Sequence, residues 1–272
     1  MLGAIIGDIV GSSREWKNIK TEDFEMVPAD SHFTDDTVMT LAVAEWLMAD
    51  PDHREETLVD YLQELGGRYP GAGYGGRFFQ WLKEEHPKPY GSFGNGSGMR
   101  VSPVGLYAHS LGEALELARI SASVTHNHPE GIKGAQAIAA CVYLRRNGMD
   151  DKYELRRYVE NTFGYHLHRN LEDVRAFYRF DVTCQGSVPI AIMAFLQRDT
   201  AESALRLAIS MGGDSDTIGC MTTAIATACP PHSSDPSCQI PADVVARCRE
   251  LLTPDLLDIN DRFEVWINRP VE

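Results

Sequence analysis

Apolar residues recur along most of this chain at spacings of three and four positions, as in helices that pack one face on a core. The opening segment shows the pattern, because Leu2, Ile5, Ile6, Ile9 and Val10 fall on one stripe. The alternation of apolar and polar residues that is typical of half-buried strands is hard to find. The sequence therefore predicts an all-α bundle of roughly ten helices of ordinary length.

Start and stop signals indicate where the other helices lie. The predicted helices run from Thr37 to about Met48, from Leu58 to Leu65 with an end at Gly66-Gly67, from Ala114 to Ile120, from Lys133 to Arg146, from Ser187 to Leu196, from Ala201 to Met211 with Thr200 as cap, and from Ile218 to Cys229, with two more opened by Pro241 and Pro254. The segment from Ile218 is nearly all small or apolar, which predicts a buried central helix. Without a linker or an internal repeat, residues 1–272 are expected to form one domain.

Composition excludes several classes of function. The net charge of −14 has the wrong sign for binding nucleic acid or an anionic membrane surface. No stretch is long and apolar enough to span a bilayer, and the N-terminus reaches Asp8 too soon to be a secretory signal. We therefore expect a cytoplasmic protein, with a monomer as the default.

The cysteines favour reduced thiols over a disulfide framework. The chain has six of them and no CxxC pair. Cys229 and Cys238 flank His232 in a segment rich in proline and serine, and this grouping is interpreted as incidental.

Three glycines, Gly3, Gly7 and Gly11, recur every four residues on the first predicted helix. Glycine lowers helix stability, so three on one stripe predict that another backbone or a ligand approaches closely there.

Two acidic motifs stand where loops lead into helices. Taken alone, Thr34-Asp35-Asp36 is explained by helix capping and by the helix dipole. Asp214 and Asp216, however, lead into a helix too apolar to be solvated, and charges at a buried helix need partners. Together the two motifs can offer hard oxygen ligands to one or two divalent cations, which selects Mg²⁺, Mn²⁺ or Ca²⁺ over zinc.

A glycine-rich segment and a histidine pair indicate a site for an anion. In residues 94–100 (GNGSGMR) backbone N–H groups can converge on an anion, with Ser97 as an additional donor, although a turn that holds no ligand is an equal alternative. His126 and His128 have the spacing of zinc ligands, but no cysteine lies near them. This favours histidines that form hydrogen bonds beside a phosphate or a helix start.

These motifs, in this order, resemble those of the ADP-ribosylglycohydrolase family. They are GDIVGS from Gly7 with Glu15, FTDDT from Phe33, GNGSGMR from Gly94, THNHPEG from Thr125, and GGDSDTIG from Gly212. Each motif is weak alone, whereas the five in sequence are highly specific. The resemblance implies an orthogonal all-α fold with a central binuclear site for two Mg²⁺ or Mn²⁺ ions.

The resemblance also implies site residues. Its metal ligands fall on Thr34, Asp35, Asp36, Asp214, Asp216 and Thr217. Its substrate-binding positions, which would hold the diphosphate of ADP-ribose, fall on Gly94, Asn95, Gly96, Ser97, Gly98, Met99 and His126. The candidate catalytic residues, which would deprotonate a bridging water, are Asp36, Asp35 and Glu15. Gly7 and Gly11 would let the chain approach the metals and the substrate.

The activity that the resemblance implies is hydrolysis of the glycosidic bond between ADP-ribose and an acceptor, through an oxocarbenium-like transition state. The partner would be an ADP-ribosylated protein or a small ADP-ribose conjugate, with arginine as first acceptor and serine as second. The residues that choose among acceptors are expected in loops such as Tyr69 to Arg77.

Two alternatives remain from the sequence. One is a catalytically inactive ADP-ribose-binding or structural protein on the same fold. The other is a metal-dependent phosphohydrolase, which would need a His-Asp ligand pair although the chain has no HD dipeptide.

Overall fold

Helices make up the regular structure of the residues described by the computed structural model, which are 1–231 and 233–269. Over these residues there is no sheet, so the prediction of an all-α fold is confirmed. The helices are α1 (Leu2–Ser12), α2 (Asp35–Ala49), α3 (Glu55–Arg68), α4 (Gly76–Trp81), α5 (Gly96–Met99), α6 (Ser102–Tyr107), α7 (Leu111–Ser123), α8 (Pro129–Arg146), α9 (Lys152–Phe163), α10 (Leu171–Val174), α11 (Cys184–Leu196), α12 (Ala201–Ser210), α13 (Ser215–Ala226), α14 (Ala242–Glu250) and α15 (Pro254–Ile267).

Side-chain caps fix the starts of several helices. The hydroxyl of Thr34 accepts a hydrogen bond from the backbone N–H of Asp36 at the start of α2, and Thr200 forms a capping box with Ser203 at α12. Nδ1 of His128 accepts a hydrogen bond from the backbone N–H of Glu130 at 3.1 Å, so this histidine caps the N-terminus of α8. The predicted caps and the predicted helix-start role of a histidine are therefore confirmed.

One predicted helix end is wrong. α3 continues through Gly66 and Gly67 to Arg68 instead of ending at the glycines. A Cβ on Gly66 would lie 2.9 Å from the Leu82 side chain, so this glycine serves close packing and not termination.

α13 lies at the centre of the fold, and all of its residues are buried, as predicted. α1 packs directly on it. A Cβ on Gly7 would lie 2.2 Å from the carbonyl oxygen of Gly219, and one on Gly11 would lie 2.4 Å from Cα of Asp216. The close approach predicted from the glycine stripe is therefore that of another backbone, and the expectation that Gly7 and Gly11 make room for metal or substrate is wrong.

The cysteine prediction needs a correction. Cys229 and Cys238 form a disulfide, with their Cα atoms 6.2 Å apart, because the loop after α13 folds back through a 3₁₀ turn at Pro236–Cys238. His232, between them, is outside the described residues. The other four cysteines are free and buried.

None of the helices in the described part of the chain combines the length and the apolar character that crossing a bilayer requires.

Candidate active site and metal centre

A cavity of about 800 Å³ brings the predicted motifs together. Its walls come from the connection after α1, the starts of α2 and α13, the segment from Gly71 to Phe78, and the residues around α5. All the predicted metal-binding positions line it, as do Glu15 and His126. Motifs that are far apart in the sequence thus meet at one site.

Carboxylates converge at one end of this cavity, in two groups of three. Oxygens of Asp8, Asp36 and Asp216 lie within 4.8 Å of one another, and so do oxygens of Glu15, Asp214 and Asp216. Asp216 belongs to both groups, which makes α13 the element that connects them. Asp35 lines the cavity beside these groups without belonging to either.

Burial and mutual repulsion make these carboxylates hard to ionise together. Burial, followed by the charge of Asp8, raises the pKa of Asp35 to about 8. Burial, followed by the charge of Asp214, raises the pKa of Glu15 to about 7. The pKa values of Asp36 and Asp216 are raised for the same two reasons. A bound cation would offset this excess of negative charge.

Two oxygen atoms in the cluster test whether the residues fit a metal ion. Oδ1 of Asp36 and Oδ1 of Asp216 are buried and accept no hydrogen bond from the residues described. Neighbouring oxygens do have donors, since Thr217 Oγ1 donates to Asp36 Oδ2 at 3.1 Å and Asn95 Nδ2 donates to Asp214 Oδ2 at 2.6 Å. Buried oxygens without donors are unfavourable, and a hard divalent cation binds such oxygens. This set of oxygen ligands therefore fits Mg²⁺ or Mn²⁺.

Asp8 is a residue that the predicted site lacks. It is fully buried on α1, and its Oδ1 accepts from Thr34 Oγ1 at 2.7 Å. Its Oδ2 accepts from the backbone N–H groups of Thr34 at 2.9 Å and Thr37 at 3.1 Å. Asp8 thus fixes the start of α2, where Asp35 and Asp36 lie. The signal available in the sequence is a single carboxylate within an otherwise apolar helix.

The part of the cavity wall formed by Arg100, His126 and Tyr90 carries positive charge, and we call it the positive end. Arg100 is 1% exposed and donates to the carbonyl of Ser121 at 2.6 Å and to Thr125 Oγ1 at 2.9 Å. No carboxylate in the described residues pairs with it. Burial lowers its pKa to about 10, so it stays charged at neutral pH. An unpaired buried cation at a cavity wall favours an anionic ligand.

His126 lies beside this arginine. Its Nδ1 is 2.7 Å from Thr125 Oγ1, and burial, followed by the charge of Arg100, holds its pKa well below the usual value. The imidazole is therefore neutral at neutral pH. A Cβ on Gly96 would lie 3.2 Å from its Nε2, so glycine at this position lets the ring pack against the turn.

The glycine-rich segment only partly faces the cavity. Gly94, Asn95, Gly96 and Met99 line it, whereas Ser97 and Gly98 do not. The Ser97 hydroxyl donates to the carbonyl of Gly131 at 2.7 Å, so it is not the additional anion donor that the sequence predicts. Gly98 packs against Met221.

Aromatic side chains at the cavity were also missed. The rings of Trp16 and Phe180 stack with their centroids 5.2 Å apart, and the guanidinium of Arg77 lies 4.5 Å from the centroid of the Tyr90 ring. The predicted substrate-selecting loop from Tyr69 to Arg77 includes Arg77 but none of these three aromatic residues.

Known proteins resemble this chain over most of its length. The family model described as ADP-ribosylglycohydrolase matches residues 1–270. The ADP-ribosylhydrolase ARH3 of Danio rerio is 25% identical over 298 residues, covering 84% of this chain and 80% of its own length. The human ARH3 is 26% identical over 302 residues, covering 84% and 83%. The ADP-ribosylarginine hydrolase Tri1 of Pseudomonas putida is 26% identical over 245 residues, covering 80% and 66%. A solved structure described as an ADP-ribosylglycohydrolase-related protein complex has the same fold, with a TM-score of 0.70 at 24% identity, covering 98% and 96%.

Proposed function

Since the chain belongs to the ADP-ribosylglycohydrolase family, we propose that it hydrolyses the glycosidic bond between ADP-ribose and a protein side chain with two bound Mg²⁺ or Mn²⁺ ions. Arginine is the first expected acceptor, because one relative is named an ADP-ribosylarginine hydrolase. Serine is the second. One observation carries the proposal. The same cavity is lined by clustered carboxylates, two of whose oxygens accept no hydrogen bond from the described residues, and by a buried arginine that pairs with no carboxylate of those residues.

The positive end suits the diphosphate of ADP-ribose. Arg100 supplies a buried charge, which attracts an anion more strongly than an exposed charge would. The neutral His126, which packs against the turn at Gly94 and Gly96, can form a hydrogen bond to a phosphate oxygen. With the diphosphate at this end, the ribose of the reacting bond extends toward the carboxylates.

The carboxylate end suits the metal ions. The residues whose oxygens would bind them are Thr34, Asp35, Asp36, Asp214, Asp216 and Thr217. When bound, divalent cations of this kind lower the pKa of a coordinated water and orient hydroxyl groups.

The protein side chains have two tasks in the reaction. Cleavage at the anomeric carbon gathers positive charge in the transition state, which carboxylates facing that carbon stabilise. The attacking water must also lose a proton. Glu15, Asp35 and Asp36 are the carboxylates at the cavity that can accept it.

The test measures release of ADP-ribose from peptides that carry ADP-ribose on arginine or on serine. We expect release that EDTA abolishes and that added Mg²⁺ or Mn²⁺ restores. Asp36→Ala and Asp214→Ala are each expected to lower turnover about 100-fold or more, because each deletes a hard ligand. Asp60→Ala, at an exposed position on α3, is the matched control and should leave turnover unchanged.

Turnover of Asp36→Ala within a few-fold of the parent would contradict the metal assignment. Binding of ADP-ribose without release from any substrate would favour the inactive binding protein instead. Phosphate release from nucleotides would favour the phosphohydrolase.

A further inference from the structure

Two aromatic rings stand exposed at the mouth of the cavity. Trp16 is 79% exposed and Phe180 is 42% exposed, and their rings stack at an interplanar angle of 22°. They come from separate connections, one after α1 and one before α11, so the pair brings two distant segments of the chain together at the cavity. Large apolar side chains held in water at a cleft mark an interaction site. The binding of ADP-ribose described above gives these rings no task.

The pair lies near the carboxylate end of the cavity. Trp16 directly follows Glu15, whose carboxylate is grouped with those of Asp214 and Asp216. Tyr90, by contrast, belongs to the positive end, where its ring centroid is 6.1 Å from that of His126. An ADP-ribose that spans both ends therefore directs its anomeric carbon, and the acceptor bonded to it, toward Trp16.

We propose that Trp16 and Phe180 form the acceptor site, in which the guanidinium group of an ADP-ribosylated arginine stacks on the exposed indole ring. This inference rests on the proposed hydrolase function and names the residues that select the acceptor. A flat cation is attracted to the face of an aromatic ring, and Trp provides the best such face. The neighbouring carboxylate of Glu15 adds a favourable charge when it is ionised.

Other acceptors are expected to bind this aromatic surface less strongly. A serine side chain has neither a flat face nor a charge, and a nucleobase has a flat face but no positive charge to place beside the carboxylates. The protein uses the proposed contact elsewhere on the same cavity, because the guanidinium of Arg77 lies 4.5 Å from the centroid of the Tyr90 ring.

The experiment measures kcat and KM separately for the full chain with Mg²⁺, on a peptide that carries ADP-ribose on arginine. Trp16→Ala and Phe180→Ala are expected to raise KM about three- to thirty-fold, the range of one cation–π contact. Trp16→Phe keeps a ring and should retain most of the affinity. The Kd for free ADP-ribose, measured by calorimetry, should stay within about twofold of the parent value.

Phe177 provides the matched control. It is 78% exposed on the same connection as Phe180 but does not line the cavity. Phe177→Ala is expected to change neither KM nor the Kd for ADP-ribose, which separates a role in acceptor binding from a general effect of removing an exposed ring.

Three results would overturn the inference. They are an unchanged KM in Trp16→Ala, an equal loss of affinity for free ADP-ribose, and a parent enzyme that prefers a serine-linked or nucleobase-linked substrate. Each of them leaves hydrolysis of an ADP-ribose linkage standing, although a preference for a nucleobase-linked substrate would replace the protein side chain as the proposed acceptor. That function fails separately, and the inference with it, if the parent releases ADP-ribose from no substrate.

Discussion

The oxygens of Asp8 and Asp36 have different partners, although both carboxylates are buried at the same site. Asp8 accepts hydrogen bonds from the backbone and hydroxyl groups of Thr34 and Thr37. Asp36 keeps one oxygen without a donor. Asp8 therefore holds the backbone that presents Asp36, while Asp36 is left able to bind a cation.

Asp8→Asn tests this division. The amide nitrogen would face hydrogen-bond donors in place of a carboxylate oxygen, so we expect a loss of roughly 2–4 kcal/mol in the free energy of unfolding, together with a loss of ADP-ribose release. Urea unfolding with saturating Mg²⁺ measures the first quantity. Asp60→Asn, exposed on α3, is the control. An unfolding free energy within about 0.5 kcal/mol of the parent would contradict the positioning role.

Residue roles could be predicted from the sequence only where a motif carries them. Asp36, Asp214 and His126 line the cavity as their motifs indicate. Trp16 and Phe180 lie in unrelated segments, and only the folded chain stacks them. Ser97 shows the converse, because its motif indicates an anion donor while the fold directs its hydroxyl to the carbonyl of Gly131.

The pairing of α1 with α13 leaves no room for a side chain at Gly7. A Cβ on Gly7 would meet backbone atoms of α13, which cannot move aside as a side chain can. The same contact sets Asp8, the next residue of α1, near Asp216 on α13. The separation of these two helices therefore controls the separation of the carboxylates.

Gly7→Ala is expected to lower the free energy of unfolding by about 3 kcal/mol or more, since the overpacked atoms are backbone, and to abolish ADP-ribose release. Gly67→Ala is the control. Gly67 is exposed within α3, and a Cβ there meets no atom within 4 Å. That variant should gain roughly 0.5–1 kcal/mol from helix propensity. Thermal and urea unfolding of both variants check the prediction, and a Gly7→Ala protein as stable as the parent would contradict it.

The longer helices were largely predictable because their periodicity and caps are local. α9 is not among the predicted helices, although Asp151 caps its start and Gly164 ends it in a left-handed conformation, so its signals were available. α5 is different. A single turn at Gly96–Met99 is too short to show periodicity, and hydrogen bonds to neighbouring segments, such as that from Asn95 N to the carbonyl of Val182, fix its start.

The whole molecule carries a net charge of −14, whereas the ligand proposed for it carries two negative charges. The sign of the total charge hides its distribution. Many acids are exposed and pair with arginines, as Asp261 does with Arg249, whereas the cavity is lined by both a carboxylate cluster and the buried charge of Arg100. Bound cations would convert the acidic end into one that attracts the substrate, so the stability of the fold and the binding of metal should be coupled.

Metal binding is therefore expected to raise the melting temperature. A ligand that binds only the folded state at 100 times its Kd stabilises it by about 2.7 kcal/mol, which corresponds to a rise of roughly 5–10 °C for a chain of this size. Differential scanning fluorimetry of EDTA-treated protein, with and without Mg²⁺ or Mn²⁺, measures the shift. The double variant Asp36→Asn and Asp216→Asn removes the charges of the two carboxylates whose Oδ1 atoms accept no hydrogen bond, and it should abolish the shift in melting temperature. KCl at matched ionic strength should not reproduce the shift. An equal shift in the double variant, or with KCl alone, would show that the carboxylate cluster is not where the cation acts.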